Sequence, residues 1–99
     1  MIITLTQFND SIITGQLPLE LPLHLQALWY DGRGDWKKAH DLIDHLSDLV
    51  SAHVHAYLHR KEGDVWNADY WYRKAGRLRP DVTLEQEWGN LVGEYLPSF

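Results

Sequence analysis

Apolar residues recur at helical spacing over most of the chain. Trp36, Ala39, Leu42, Ile43, Leu46, Leu49 and Val50 recur at spacings of three and four, which predicts one helix face. Ala68, Trp71, Tyr72, Ala75 and Leu78 repeat the pattern, and Pro80 is expected to stop that helix. Pro22 suits the first turn of a helix running to about Asp31. Thr83-Leu84-Glu85-Gln86 has the form of a capping box, so a last helix should run from there to about Tyr95. Before Pro18, the stretch Thr4 to Thr14 suits a short helix ended by Gly15, with Leu5, Phe8 and Ile12 inward. Ile12-Ile13-Thr14 also suits a strand. Gln16 to Leu21 reads as a connector.

A short repeat organises these helices. Gly34-Asp35-Trp36-Lys37-Lys38-Ala39 returns 29 residues later as Gly63-Asp64-Val65-Trp66-Asn67-Ala68. Glycine can end one helix in a left-handed conformation, and the aspartate that follows can cap the next. The expected fold is all-α. Residues 1–21 form an appendage and connector, 22–50 and 51–80 two stacked helical hairpins, and 83–96 a capping helix, all in one domain. Two repeats are fewer than the three or more a solenoid needs. The extra helix and the tryptophans must supply the missing core, with a homodimer contact as a further source.

Composition narrows the function classes. The 99 residues contain no Cys, which excludes a disulfide scaffold, a thiolate metal site and a cysteine nucleophile. A net charge of -5 argues against non-specific binding to nucleic acid or to an anionic membrane. No apolar run reaches the roughly 18 residues of a membrane span. The N-terminus has no basic region or cleavage site, so a cytoplasmic location is expected. Trp 5 and His 6 are unusual counts for so short a chain.

The second hairpin, His53 to Pro80, resembles a tetratricopeptide repeat, with Ala56 in its first helix, then Ala68, Tyr72, Ala75 and the closing Pro80. Ala27, Ala39 and Ile43 stand at the same phases in the first hairpin. The string His55-Ala56-Tyr57-Leu58-His59-Arg60-Lys61-Glu62-Gly63-Asp64, followed by Asn67-Ala68 and Tyr70-Trp71-Tyr72-Arg73-Lys74-Ala75-Gly76, is also similar to a family of small uncharacterised bacterial proteins. Ala27-Leu28-Trp29 and Gly34 to His40 fit that family too. The resemblance implies helical hairpins and no mechanism.

Candidate chemistry concentrates on one helix. His55, His59 and Glu62 lie at i, i+4 and i+7 and share a stripe. The histidine pair suits a divalent metal, with Glu62 as third ligand. Ala52, Ala56 and Leu58 flank the stripe and place it inward, where unpartnered imidazole and carboxylate groups would be costly. Three readings stay open: a hydrogen-bonded set of Glu62 and His59 with Tyr72 or Trp71 donating, a metal site, or a small-ligand or proton-transfer pocket. His40, beside Trp36, reaches this set if the hairpins stack. The zinc-protease string His-Glu-x-x-His is absent.

Two further stripes are candidates for partner binding. Trp66, Tyr70, Arg73 and Arg77 combine aromatic and cationic groups suited to an acidic peptide, a phosphate or a stacked base. Alternatively, Trp66 and Tyr70 pack beneath the last helix with Trp88 and Leu91. His53, Tyr57, Arg60 and Lys61 form a basic line expected to be exposed, where the repeat resemblance implies ligand contacts. That line suits an acidic tail or carboxylate, or is a plain solvated face. Asp41, His45 and Asp48 are expected to form solvated charge pairs on one helix. Asp31 to Asp35 reads as a turn and not a phosphate loop, Ser11, Ser47, Ser51 and Ser98 lack nucleophile context, and no nucleic-acid motif is present. The expected function is a non-enzymatic scaffold that binds a protein segment or a small acidic ligand and needs no cofactor. The alternative is a metal protein or enzyme built on His55, His59 and Glu62.

Overall fold

The two Gly-Asp junctions set the architecture. In the computed structural model, which describes residues 3–96, Gly34 and Gly63 sit at φ +86° and +91°, conformations that side-chain-bearing residues resist. Asp35 then accepts a hydrogen bond from the Lys38 N–H, and Asp64 from the Asn67 N–H. Each junction turns one helix into the next. Expectations that touch Met1, Ile2 and Ser98 lie outside the described residues.

Six helices result among the described residues: α1 (Leu5–Thr14), α2 (Leu23–Gly32), α3 (Trp36–Ile43), α4 (Leu49–Glu62), α5 (Val65–Lys74) and α6 (Leu84–Tyr95). The fold is an all-α bundle in which α2 pairs with α3 and α4 with α5, consistent with a hairpin-repeat architecture. Leu25, Leu28, Ile43, Val54, Leu58, Leu91 and Val92 fill the main core. Ala56, Ala68 and Tyr72 form a smaller one between α4 and α5. Ala39 and Ala68, the repeat alanines, are both fully buried.

α1 is helical and not strand. Thr4 and Gln7 form a reciprocal capping box, and Gly15 ends the helix at φ +82°. Phe8 is buried, but Leu5 is exposed, contrary to expectation. The indole N–H of Trp29 donates to Ser11 Oγ and Arg33 to the Ile12 carbonyl, which fastens α1 to α2.

Three boundaries differ from expectation. α3 stops at Ile43, and Asp48 caps α4 by accepting the Ser51 N–H. The apolar spacing of Leu46, Leu49 and Val50 runs through a turn, so Leu49 is exposed, while His45 and Asp48 leave the line with Asp41. α5 stops at Lys74, short of Pro80, because Gly76 takes a left-handed conformation at φ +72°, and Leu78 is left exposed.

α6 does not extend the stack over α5. It packs back against α4 and α2. The buried Glu87 accepts from Arg60 Nη1 at 2.8 Å and from the Tyr72 hydroxyl at 2.5 Å. Arg60 also donates to the Val82 carbonyl, and Trp88 donates to the Leu28 carbonyl while its ring packs near Phe8. No described helix is long and apolar enough to cross a membrane.

Two stability outcomes follow from this packing. Ala39→Leu and Ala68→Leu should each cost on the order of 1–3 kcal/mol through overpacking. Glu87→Ala strands Arg60 and Tyr72 without their acceptor and should cost about 3 kcal/mol or more. Urea midpoints at unchanged m-value check both.

Candidate functional site

Three histidines meet where the hairpins stack. α3 supplies His40, and α4 supplies His55 and His59 one turn apart. One ring nitrogen from each lies within 4.8 Å of the other two. His55 Nε2 is 3.2 Å from His40 Nε2, and the His55 and His59 rings stack with centroids 4.7 Å apart. His55 is buried, while His40 and His59 reach the surface with 22% and 11% of their side chains exposed.

Tryptophans wall the cluster. Trp36 stacks on His40 at 4.9 Å, and its N–H donates to the Leu58 carbonyl, which ties α3 to α4. Trp71 of α5 stacks on His55 at 4.0 Å. Rings and backbone thus hold the imidazoles in place.

Glu62 plays a different part from the one its spacing suggested. His59 Nδ1 lies 2.6 Å from Glu62 Oε2. A carboxylate only accepts, so Nδ1 carries a proton and Nε2 is the nitrogen that faces away from Glu62. The expected Glu62–His59 pair is present. Its expected donors are not, because Tyr72 donates to Glu87 and Trp71 only stacks. Glu62 is also partly exposed and not buried as the stripe implied. His55 has no such partner, and its Nδ1 is buried without a hydrogen bond. Burial, followed by the neighbouring His59 and His40, lowers the His55 pKa to about 4. Converging imidazole nitrogens, one of them on a His55 held neutral by burial, are suited to bind a cation.

Two other groups could in principle gather around a cation, His40 with Asp41 and Asp44, and His59 with Glu62 and Asp64. Both have carboxylates already engaged. Asp41 pairs with Lys37, and Asp64 accepts from Asn67 at the α5 cap. The three-histidine set has nitrogens left for a ligand.

The basic line of α4 requires correction, because its premise was exposure. His53 and Tyr57 are buried and Arg60 is half-buried; Lys61 is exposed as expected, but both cations are ion-paired. His53 Nδ1 meets the Tyr95 hydroxyl at 2.7 Å, Tyr57 donates to Asp31 Oδ2 at 2.7 Å, and Lys61 donates to Asp31 Oδ1 at 2.9 Å. α4 is the central helix, covered by α2, α3, α5 and α6, and its polar side is consumed within the chain. The packing of Trp66 and Tyr70 beneath α6 is also overturned. Both are exposed, with parallel rings 6.4 Å apart, because α6 covers α4 and α2 instead. Arg73 is exposed beside them, whereas Arg77 pairs with Glu94 of α6. The buried carboxylates Asp31 and Glu87 were not singled out from the sequence. Asp31 follows Ala27 and Leu28 on a buried helix face, and that position was the available signal.

Comparison with protein-family models, curated proteins and solved structures gave no match.

Burial lowers the pKa of His24, His53 and His55. The unfolded chain then takes up these protons first as pH falls, beginning near 6.5. The histidines of metal-free protein should therefore withdraw stability from about pH 6.5 toward the His55 value of about 4, below which the Asp48 and Asp64 caps, held low by their hydrogen bonds, continue the loss. His55→Gln should flatten part of that slope. Urea denaturation across this pH range is the check.

Proposed function

We propose that the protein is a small helical-repeat protein that binds a late first-row divalent metal, zinc being the reference ion, through His40, His55 and His59. The convergence of three ring nitrogens carries this reading. Imidazole suits zinc, nickel and copper, and three such ligands leave a further position for water or another ligand. Glu62 serves as the outer carboxylate that orients His59, in the arrangement common around metal-bound histidines. His40 replaces Glu62 in the ligand set expected from spacing. The reading is one of binding, and no turnover is assigned.

The paired hairpins support a tetratricopeptide-like reading. A scaffold role is favoured separately by the exposed Trp66 and Tyr70 pair on α5, with Lys74 over the Tyr70 ring at 5.4 Å. That face would hold a protein segment.

Untagged protein titrated with zinc, followed by calorimetry and native mass spectrometry, should bind one ion per chain. His40→Gln and His55→Gln should each remove binding, and Glu62→Gln should weaken it about tenfold or more while leaving the fold intact. Histidine ring resonances should shift with zinc. Absence of binding, or binding indifferent to His40→Gln, would overturn the assignment.

A further inference from the structure

A second concave site lies on the other side of α4, away from the histidines. It is a cleft of about 470 Å³ between α1, α2, α4 and α6, within the usual size range of small-molecule sites. Ile12, Leu84 and the Trp88 ring give it apolar walls. Gly32 fixes its back: a Cβ there would come within 2.9 Å of Trp88 and 3.0 Å of Ile12, so only glycine allows those side chains to approach the α2 backbone so closely.

The charges lining the cleft do not cancel. Two carboxylates, Asp31 and Glu85, face one ammonium, Lys61. Lys61 and Asp31 already neutralise each other, and the Tyr57 hydroxyl binds the second Asp31 oxygen. Glu85 stands on the rim, exposed and outside every ion pair shown by the described residues. An entering anion would meet a lysine whose charge is matched, with an extra carboxylate beside it. An entering cation would meet the uncompensated charge.

Trp88 fits the same polarity. Its N–H is spent on the Leu28 carbonyl, so the ring that lines the cleft brings its π system and no free donor. Trp29 and Trp71 each carry an Arg or Lys of the chain over their rings, but no described cation sits over Trp88. An aromatic face beside carboxylates is the chemistry that holds organic ammonium groups. The Asp31 oxygens each retain accepting capacity beyond their single bond.

We propose that this cleft binds a small organic ammonium ion with an aromatic or aliphatic body, the cation lying between Glu85 and the Trp88 face. The basic residues of α4 had suggested an acidic ligand. Their internal pairing reverses the sign of the ligand that the surface can accept. The site is independent of the histidine cluster.

Phenethylamine and hydrocinnamate, bodies of similar size and opposite charge, separate the two polarities. Titrations of the full chain followed by amide and indole NMR shifts should show phenethylamine moving Ile12, Leu84 and the Trp88 indole, with hydrocinnamate leaving them in place. Glu85 is exposed, so Glu85→Gln should fold normally and weaken phenethylamine binding about fivefold, the effect of one exposed charge contact. Glu85→Lys should weaken it further. No shift with phenethylamine, equal shifts with both probes, or an affinity indifferent to Glu85→Lys in a folded variant would overturn the proposal.

Discussion

A carboxylate removed from water must find partners or lose its charge, and Glu87 shows how this chain meets that demand. Its oxygens are held by Arg60 of α4 and Tyr72 of α5. The same arginine reaches the backbone just before α6 at Val82. One buried acidic group therefore fixes where the last helix lies relative to the second hairpin. Leu91 and Val92 then enter the main core, and Trp88 reaches the first hairpin. A hydrophobic contact alone would tolerate sliding, whereas an ion pair with a matching hydroxyl admits one register.

Asp31 plays the corresponding part on α2. Tyr57 and Lys61, both from α4, close on its two oxygens. Burial and the adjacent carboxylate push the Tyr57 hydroxyl to a higher pKa, so it stays protonated and donating. The polar residues of α4 thus act as fasteners between helices, and the apolar residues between them fill the core. Where His55 and His59 meet His40, the buried His55 Nδ1 is left without an internal partner.

The fold was largely legible because its punctuation is chemical. Gly34-Asp35, Gly63-Asp64 and the Thr83 to Gln86 box mark helix ends by mechanisms that act within a few residues. Asp48 is the same kind of cap but was hidden by apolar residues at helical spacing on both sides of it. The candidate site was legible in part. Spacing places His55, His59 and Glu62 on one stripe, but which of them converge depends on the α3 to α4 contact through Trp36. The basic line misled because the middle of α4 is buried by its neighbours and leaves only its ends exposed, and polarity in a buried stretch signals a partner on another helix. Trp66 and Tyr70 misled for the converse reason. Nothing local in α5 reveals that α6 turns away from it.

The hydrogen bond from Trp88 to the Leu28 carbonyl joins residues 60 positions apart. Each hairpin, by contrast, closes over a short stretch of chain. Closing the longer loop carries the greater entropic cost and gains contacts only once α2 and α4 already present their surfaces. During synthesis the two hairpins can therefore assemble while α6 is still unmade. The last described helix then works as a clasp, docking on surfaces that both hairpins already present.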